Sequence, residues 1–169
     1  MFPKDAFKFC PKCGGELISQ EGNFLICQKC DFHVFINAST CAGAIIENEN
    51  GEVLLTVRAH EPGKGELDLP GGFVEPYESA EEGLLRELKE ELGVNAKIKA
   101  FIGTYSAEYL YQDIKIPLVN VMYVAEIEGE PKPNDDVAEI RYVPKEKLLE
   151  EHIWDPSLVF TIKDYLAKF

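Results

Sequence analysis

No run of apolar residues approaches the roughly 18 that a membrane-spanning helix requires, so nothing in the sequence predicts a helix that crosses a bilayer. The opening Met1-Phe2-Pro3-Lys4-Asp5 leads into charged and cysteine-containing sequence and lacks the basic start and apolar stretch of a secretory signal. The expectation is an intracellular, cytoplasmic protein. Basic residues are scarce too: 17 Lys and Arg stand against 30 Asp and Glu, a formal net charge of -13. A surface of that sign repels polyanions, which disfavours nucleic acid as the main partner. A small phosphorylated ligand stays admissible where a divalent cation or a few local basic groups offset its charge. Repeats and low-complexity tracts are missing as well. With 46% apolar residues over 169 positions, the chain suits one well-buried domain with a small appendage.

Cysteine is sparse but patterned. Four of the five form two Cys-x-x-Cys pairs, Cys10 with Cys13 and Cys27 with Cys30, separated by thirteen residues. Such pairs bring four thiolates around one Zn²⁺ in a tetrahedron, the spacing of a zinc ribbon. Gly14 and Asp31 follow the pairs and tolerate the positive φ that such loops need. Glu16 to Ser19 and Phe24 to Ile26 flank Gln20-Glu21-Gly22-Asn23 and predict a hairpin with the metal at its base. About 36 residues bury too little to fold unaided, so a metal staple has a physical purpose. Residues 1–36 are therefore expected to be a zinc ribbon and 37–169 a second domain. A pair of disulfides is the alternative, disfavoured by the lack of a signal sequence. A closed four-thiolate site leaves no open position for substrate, so the zinc is expected to be structural. His33 reads as a surface or packing residue, and Cys41, in an apolar strand pattern, as a small buried hydrophobe.

Beyond residue 37 the pattern predicts strands at Thr40 to Glu47, Glu52 to Arg58 and Leu67 to Leu69, then a helix. Further strands follow near Ile98 to Ser106, Ile116 to Ile127 and Ala138 to Val143. A polar turn is expected at Glu108 to Asp113 and a solvated loop at Gly129 to Asp136. The last helix should start at Asp155 as N-cap, with Pro156 in the first turn. This is an α/β chain with a mixed sheet and helices packed on it.

The first helix holds a local conflict. Ser79 and Glu82 form a capping box and Gly93 a left-handed stop, which bounds it at Ala80 to Leu92. Leu84, Leu85, Leu88 and Leu92 fall in one sector as the expected core stripe, and Glu87, Glu90 and Glu91 in a neighbouring one. Like charges three and four apart repel, and acids in the last turn oppose the helix dipole by about 0.3 to 1 kcal/mol each. Gly83, on the carboxylate side, leaves room there. Three convergent carboxylates make a site for a hard cation such as Mg²⁺ or Mn²⁺. A solvated acidic face is the plainer alternative.

From Gly72 the sequence fits Gly-x₅-Glu-x₇-Arg-Glu-(apolar)-x-Glu-Glu-x-Gly-(apolar), with Gly72, Glu78, Arg86, Glu87, Leu88, Glu90, Glu91, Gly93 and Val94 in the fixed places. This stretch resembles the Nudix box. The resemblance implies an α/β/α sandwich with a mixed sheet and Mg²⁺- or Mn²⁺-dependent hydrolysis of a diphosphate linkage. The substrate it implies is a small nucleoside diphosphate derivative such as ADP-ribose, NADH or a related dinucleotide. It also implies that Glu87, Glu90 and Glu91 are metal ligands, that Arg86 and Glu78 pair to orient them, and that Gly72 lets the loop approach metal or phosphate. The general base stays open among these carboxylates and Glu108, Asp113, Asp135, Asp136 and Glu139. A four-cysteine ribbon ahead of the box is similar in order to the NADH pyrophosphatase branch. The SQPWPFPxS segment of that branch is absent, and the corresponding region reads GTYSAEYLYQDIKIPLV.

For the substrate, Arg58 is a candidate phosphate ligand, and Phe73, Tyr105, Tyr109 and Tyr111 are candidate aromatic platforms. A second class of function stays open: a non-catalytic nucleotide sensor or adaptor whose ribbon contacts protein or nucleic acid. RNA cap hydrolysis keeps the enzyme but changes the partner, and the acidic charge disfavours it. Nudix relatives are often homodimers, so a homodimer is open too.

Overall fold

A computed structural model describes all residues, Met1 to Phe169. The chain forms two compact units, one of Met1–Ser39 with Glu108–Leu118 and one of Thr40–Ala107 with Val119–Phe169. No helix is long and apolar enough to cross a membrane.

The smaller unit contains a short helix α1 (Pro3–Ala6) and strands β1 (Leu17–Ser19), β2 (Phe24–Cys27) and β3 (His33–Phe35), paired antiparallel in the order β1-β2-β3. The hairpin expected from sequence thus gains a third strand. Alternation along β1 and β2 buries Leu17, Leu25 and Cys27 on one face. On the other face His33 lies beside Phe24, with ring centroids 5.4 Å apart, and is exposed. Gly14 and Asp31 take φ of 70° and 55° after their cysteine pairs.

The larger unit begins with β4 (Ser39–Ile46), β5 (Glu52–Arg58), β6 (Leu67–Asp68), β7 (Gly71–Phe73) and α2 (Ala80–Leu92). It continues through β8 (Asn95–Tyr111) and β9 (Ile114–Glu128), whose ends within Glu108–Leu118 belong to the smaller unit, then β10 (Val137–Pro144), a 3₁₀ turn (Lys145–Glu150) and α3 (Pro156–Lys168). Two sheets result, ordered β10-β5-β6 and β7-β4-β9-β8, with antiparallel ladders and a parallel bridge from Leu67 to Ile153.

The central strands feed two cores. Ala42, Ala44, Ile46 and Leu54 pack with Leu84, Leu88 and Leu92 of α2, while Ile45, Val53, Leu55 and Val57 pack with Leu158, Ile162 and Tyr165 of α3. Successive strand residues face opposite ways, so strands apolar at nearly every position need a helix on each side. That requirement produces the α/β/α sandwich. Each fully buried leucine contributes about 1.5 to 3 kcal/mol.

Two expectations are corrected. The polar turn at Glu108 to Asp113 is mostly strand: β8 runs to Tyr111, and the reversal falls on Gln112 and Asp113, with φ of 46° and 66°. Polar residues alternate along this ribbon, so their density does not mark a turn. Leu85 is 38% exposed and lies outside the core stripe. The buried face of α2 is Gly83, Leu84, Leu88, Glu91 and Leu92. It is therefore rotated toward the carboxylates, and Glu91, about 20° from Leu84 at 100° per residue, falls inside it.

Candidate active site

Arg86 organises the acidic end of α2. Its Nε donates to Glu78 Oε1 at 2.9 Å and its Nη2 to Glu78 Oε2 at 3.1 Å. Nη1 donates to Glu87 Oε1 and Glu90 Oε2, each at 2.9 Å, and Nη2 also reaches the Phe73 carbonyl at 2.8 Å. One planar guanidinium thus ties the loop before the helix, the end of β7 and two glutamates together. Arg86 holds the Glu78 carboxyl below the usual carboxylate range, aided by the Glu75 N–H.

The three glutamates grade from wet to dry. Glu90 has 47% of its side chain exposed and Glu87 15%, while Glu91 is 8% exposed. Glu91 Oε2 accepts from the Gly71 N–H at 2.9 Å. Burial pushes the Glu91 carboxyl up to about 8 against that hydrogen bond, with the negative charges of Glu87, Asp68 and Asp136 adding to the rise. Burial also raises Glu87, opposed by Arg86. Buried carboxylates whose charge exceeds the nearby positive charge favour either a proton or a cation. An all-oxygen donor set of this kind fits a hard divalent ion such as Mg²⁺ or Mn²⁺.

The glycines of β7 make this approach feasible. A Cβ on Gly72 would lie 2.6 to 2.8 Å from the Glu87 carboxyl atoms, so Gly72 leaves space for Glu87 itself. Gly83 leaves space of another kind. A Cβ there would meet Glu78 Oε2 at 3.2 Å and Val74 at 3.3 Å, so this glycine lets the preceding loop close onto the helix.

Several participants are not evident from sequence. Cys41, opposite Phe73 in the β4–β7 ladder, is half-buried and not a core hydrophobe. Its thiol is pushed up to about 12 by burial and then by Glu87, Asp155 and Asp68, which leaves it protonated and inert. Buried Asn120 on β9 donates to Asp155 Oδ2 at 2.8 Å and Ser157 Oγ at 2.9 Å, at the start of α3. An Asn within the apolar run Leu118 to Val124 is the signal that could have found it. Asp68 follows from alternation in Leu67-Asp68-Leu69, where the flanking leucines are buried.

The remaining sequence candidates are placed as follows. Arg58 Nη1 pairs with Asp68 Oδ2 at 2.8 Å, its Nε donates to the Pro62 carbonyl at 2.8 Å, and its guanidinium stacks 4.3 Å from the Trp154 ring centre. A phosphate would have to compete with all three. The Tyr105 hydroxyl donates to Asp164 Oδ2 at 2.8 Å, and its ring packs against the α3-side core. Phe73 is 41% exposed at the end of β7. The Tyr109 and Tyr111 rings stack at 6.3 Å. Among the later carboxylates, Asp135 and Asp136 act electrostatically on Glu87 and Glu91. Glu108 pairs with Lys115 in the smaller unit, which also holds Asp113, and Glu139 pairs with Arg141.

A NUDIX domain match spans residues 39–162. The chain is 34% identical over 140 residues to an ADP-ribose pyrophosphatase of Methanocaldococcus jannaschii, covering 80% of this chain and 77% of that one. The chain belongs to the Nudix family. It is a divalent-metal-dependent pyrophosphohydrolase that cleaves the diphosphate linkage of nucleoside diphosphate derivatives. A NUDIX hydrolase crystal structure from Nitrosomonas europaea superposes on 96% of this Nudix chain and 94% of its own, with a TM-score of 0.76 and 26% identity. A partial match, 29% identical, links 57% of the chain to 35% of the NAD-capped RNA hydrolase NudC of Pseudomonas fluorescens.

In the smaller unit the Sγ atoms of Cys10, Cys13, Cys27 and Cys30 all lie within 4.8 Å of one another. Cys13 and Cys27 are 3.5 Å apart and Cys10 and Cys30 3.9 Å. Burial opposes ionisation of Cys27, but the N–H groups of Lys29 and Cys30 outweigh it and draw the thiol down to about 7. This cluster can hold a metal ion.

Proposed function

We propose that the Nudix unit hydrolyses ADP-ribose to AMP and ribose 5-phosphate. The observation that carries the chemistry is the carboxylate of Glu91, buried, hydrogen-bonded to the Gly71 N–H and flanked by Glu87. The similarity to the M. jannaschii ADP-ribose pyrophosphatase supports the substrate.

In this reading Glu87, Glu90 and Glu91 hold Mg²⁺ or Mn²⁺. When bound, the cation offsets charge on the diphosphate oxygens and makes the attacking water more acidic. Arg86, fixed by Glu78, holds Glu87 and Glu90 through its Nη1, and Glu91 would take the proton of the attacking water. The water oxygen forms the new bond to one phosphorus as the bridging oxygen leaves with the other. Gly72, beside Glu87, and Phe73, whose carbonyl meets Arg86, would line the diphosphate site. Arg58 braces Asp68 in this reading, and Tyr105 braces α3.

The four cysteines bind one structural Zn²⁺ in a ribbon covering residues 1–36, ahead of a Nudix domain at 37–169. Zn–S bonds of about 2.3 Å in a tetrahedron put sulfurs about 3.8 Å apart, close to the 3.5 Å between Cys13 and Cys27 and the 3.9 Å between Cys10 and Cys30. Unpaired thiols suit a reducing, cytoplasmic compartment. An NADH-cleaving enzyme is the second reading, favoured by the cysteine cluster ahead of the box and opposed by the missing SQPWPFPxS segment.

The test is incubation of purified protein and Mg²⁺ with ADP-ribose, NADH, diadenosine polyphosphates, nucleoside triphosphates and capped RNA, with products separated by chromatography. ADP-ribose should be consumed fastest. Preference for NADH selects the second reading, and no cleavage with Mg²⁺ or Mn²⁺ overturns the assignment.

A further inference from the structure

Glu90 and Glu91 occupy the last turn of α2, where a helix holds itself together least. The final four carbonyls of any helix have no partner within it, and the dipole there repels carboxylates. All four of these carbonyls are nevertheless satisfied. The Lys89 carbonyl accepts from the Gly93 N–H at 3.1 Å, the helix's own left-handed cap. The other three accept from the loop between β9 and β10. Glu90 O accepts from Asn134 Nδ2 at 2.8 Å, Glu91 O from the Asn134 N–H at 2.9 Å, and Leu92 O from the Lys132 N–H at 3.0 Å.

The loop sequence is suited to this. Lys132 and Asn134 alternate with Pro131 and Pro133, which have no N–H and hold φ fixed. The residue before each proline is also biased to extended backbone. The two backbone donors of this stiff tetrapeptide are thus both directed at α2. The Asn134 carbonyl accepts from the Val137 N–H at 3.0 Å, closing a turn in which Asp135 takes φ of 50°. That turn carries Asp135 and Asp136 to within electrostatic reach of Glu87 and Glu91. A segment that reads in sequence as a solvated loop is therefore the outer half of the helix end.

We infer that Pro131 to Asn134 form a clamp that positions the cation-binding turn of α2. Asn134 is the positioning residue: it holds the backbones of two adjacent glutamates and sets cation affinity without touching the cation. The inference rests on the proposal that Glu87, Glu90 and Glu91 are the ligands.

The test measures Mn²⁺ binding without substrate, by electron paramagnetic resonance of the free ion, in full-length protein. Asn134→Ala should weaken Mn²⁺ binding roughly threefold to tenfold, the equivalent of one lost neutral hydrogen bond. Lys132→Ala, which keeps the N–H donor, should bind like wild type. Asn134→Asp keeps the shape, loses the donor and adds a negative charge that on electrostatic grounds alone would strengthen binding. The clamp requires it to weaken binding as well. Raising Mg²⁺ should recover most of any kcat lost in the Asn134 variants, because the clamp acts through cation affinity. Hydrogen exchange of metal-free protein should show faster exchange at the end of α2 in both Asn134 variants, a readout that holds even if one of them loses overall stability. Unchanged Mn²⁺ affinity in Asn134→Ala, or tighter binding in Asn134→Asp, overturns the clamp. If Glu91→Gln binds Mn²⁺ like wild type, the ligand assignment itself has failed, which separates the two.

Discussion

The four cysteines sit in a unit whose buried apolar cluster is Cys10, Leu17, Leu25 and Cys27, so half of that cluster consists of prospective ligands. The three glutamates sit on a helix packed on a core of ten buried residues, in a unit that holds a second core of fourteen. In the first region little would hold the chain without the proposed zinc. In the second, the fold is complete and presses carboxylates together at a cost that a bound cation would relieve. One metal would make its fold, and one fold makes its metal site. The proposed donors would follow this division: soft thiolates suited to a zinc held tightly enough to drive folding, and hard carboxylates suited to a divalent ion held weakly enough to exchange.

The comparison can be broken most severely at the cysteines. Cys27→Ser should remove bound zinc, measured by metal analysis, and abolish hydrogen-exchange protection in β1 to β3. Structural zinc sites supply about 10 kcal/mol or more to their domains. Glu91→Gln should act in the opposite sense, lowering kcat by roughly 10²- to 10⁴-fold in steady-state assays while the circular dichroism spectrum stays native. Packing tests the second region directly. Leu88→Ala, at a fully buried position, should cost about 2 to 5 kcal/mol in denaturant unfolding, whereas Leu85→Ala, on the exposed side, should stay within about 0.5 kcal/mol.

The last effect is a pH dependence. Glu91 binds its proton more tightly in the folded chain, with the carboxyl pushed from 4.5 to about 8 by burial and neighbouring acids. Its contribution to stability is therefore present below the lower value and is lost as pH rises through the upper one. Metal-free wild type should lose on the order of 10 °C in melting temperature relative to Glu91→Gln across that window.

Much of this was legible in the residues. The limits of α2 follow from Ser79, Glu82 and Gly93 because capping chemistry is local, and the structure has both halves of the capping box and a C-cap φ of 70°. The start of α3 follows from Asp155 and Pro156 for the same reason. What stayed hidden depends on partners distant in sequence. Angular counting placed Leu85 in the core, but the face a helix buries is set by the sheet beneath it. The loop of Lys132 and Asn134 is polar by composition, and only the folded chain brings its donors to the end of α2. Arg58 has the chemistry of a phosphate ligand, and nothing local to it reveals that Asp68 and Trp154 engage it.

The contrast between the two regions is tested most directly by amide nuclear magnetic resonance of chain stripped of metal, titrated first with Zn²⁺ and then with Mg²⁺. Zn²⁺ should bring out dispersed resonances for residues 10–35, while those of residues 80–92 are dispersed from the outset and only shift when Mg²⁺ is added. Dispersed signals from 10–35 in the absence of metal, or a helix α2 that becomes ordered only with Mg²⁺, would contradict the division between a fold made by its metal and a metal site made by its fold.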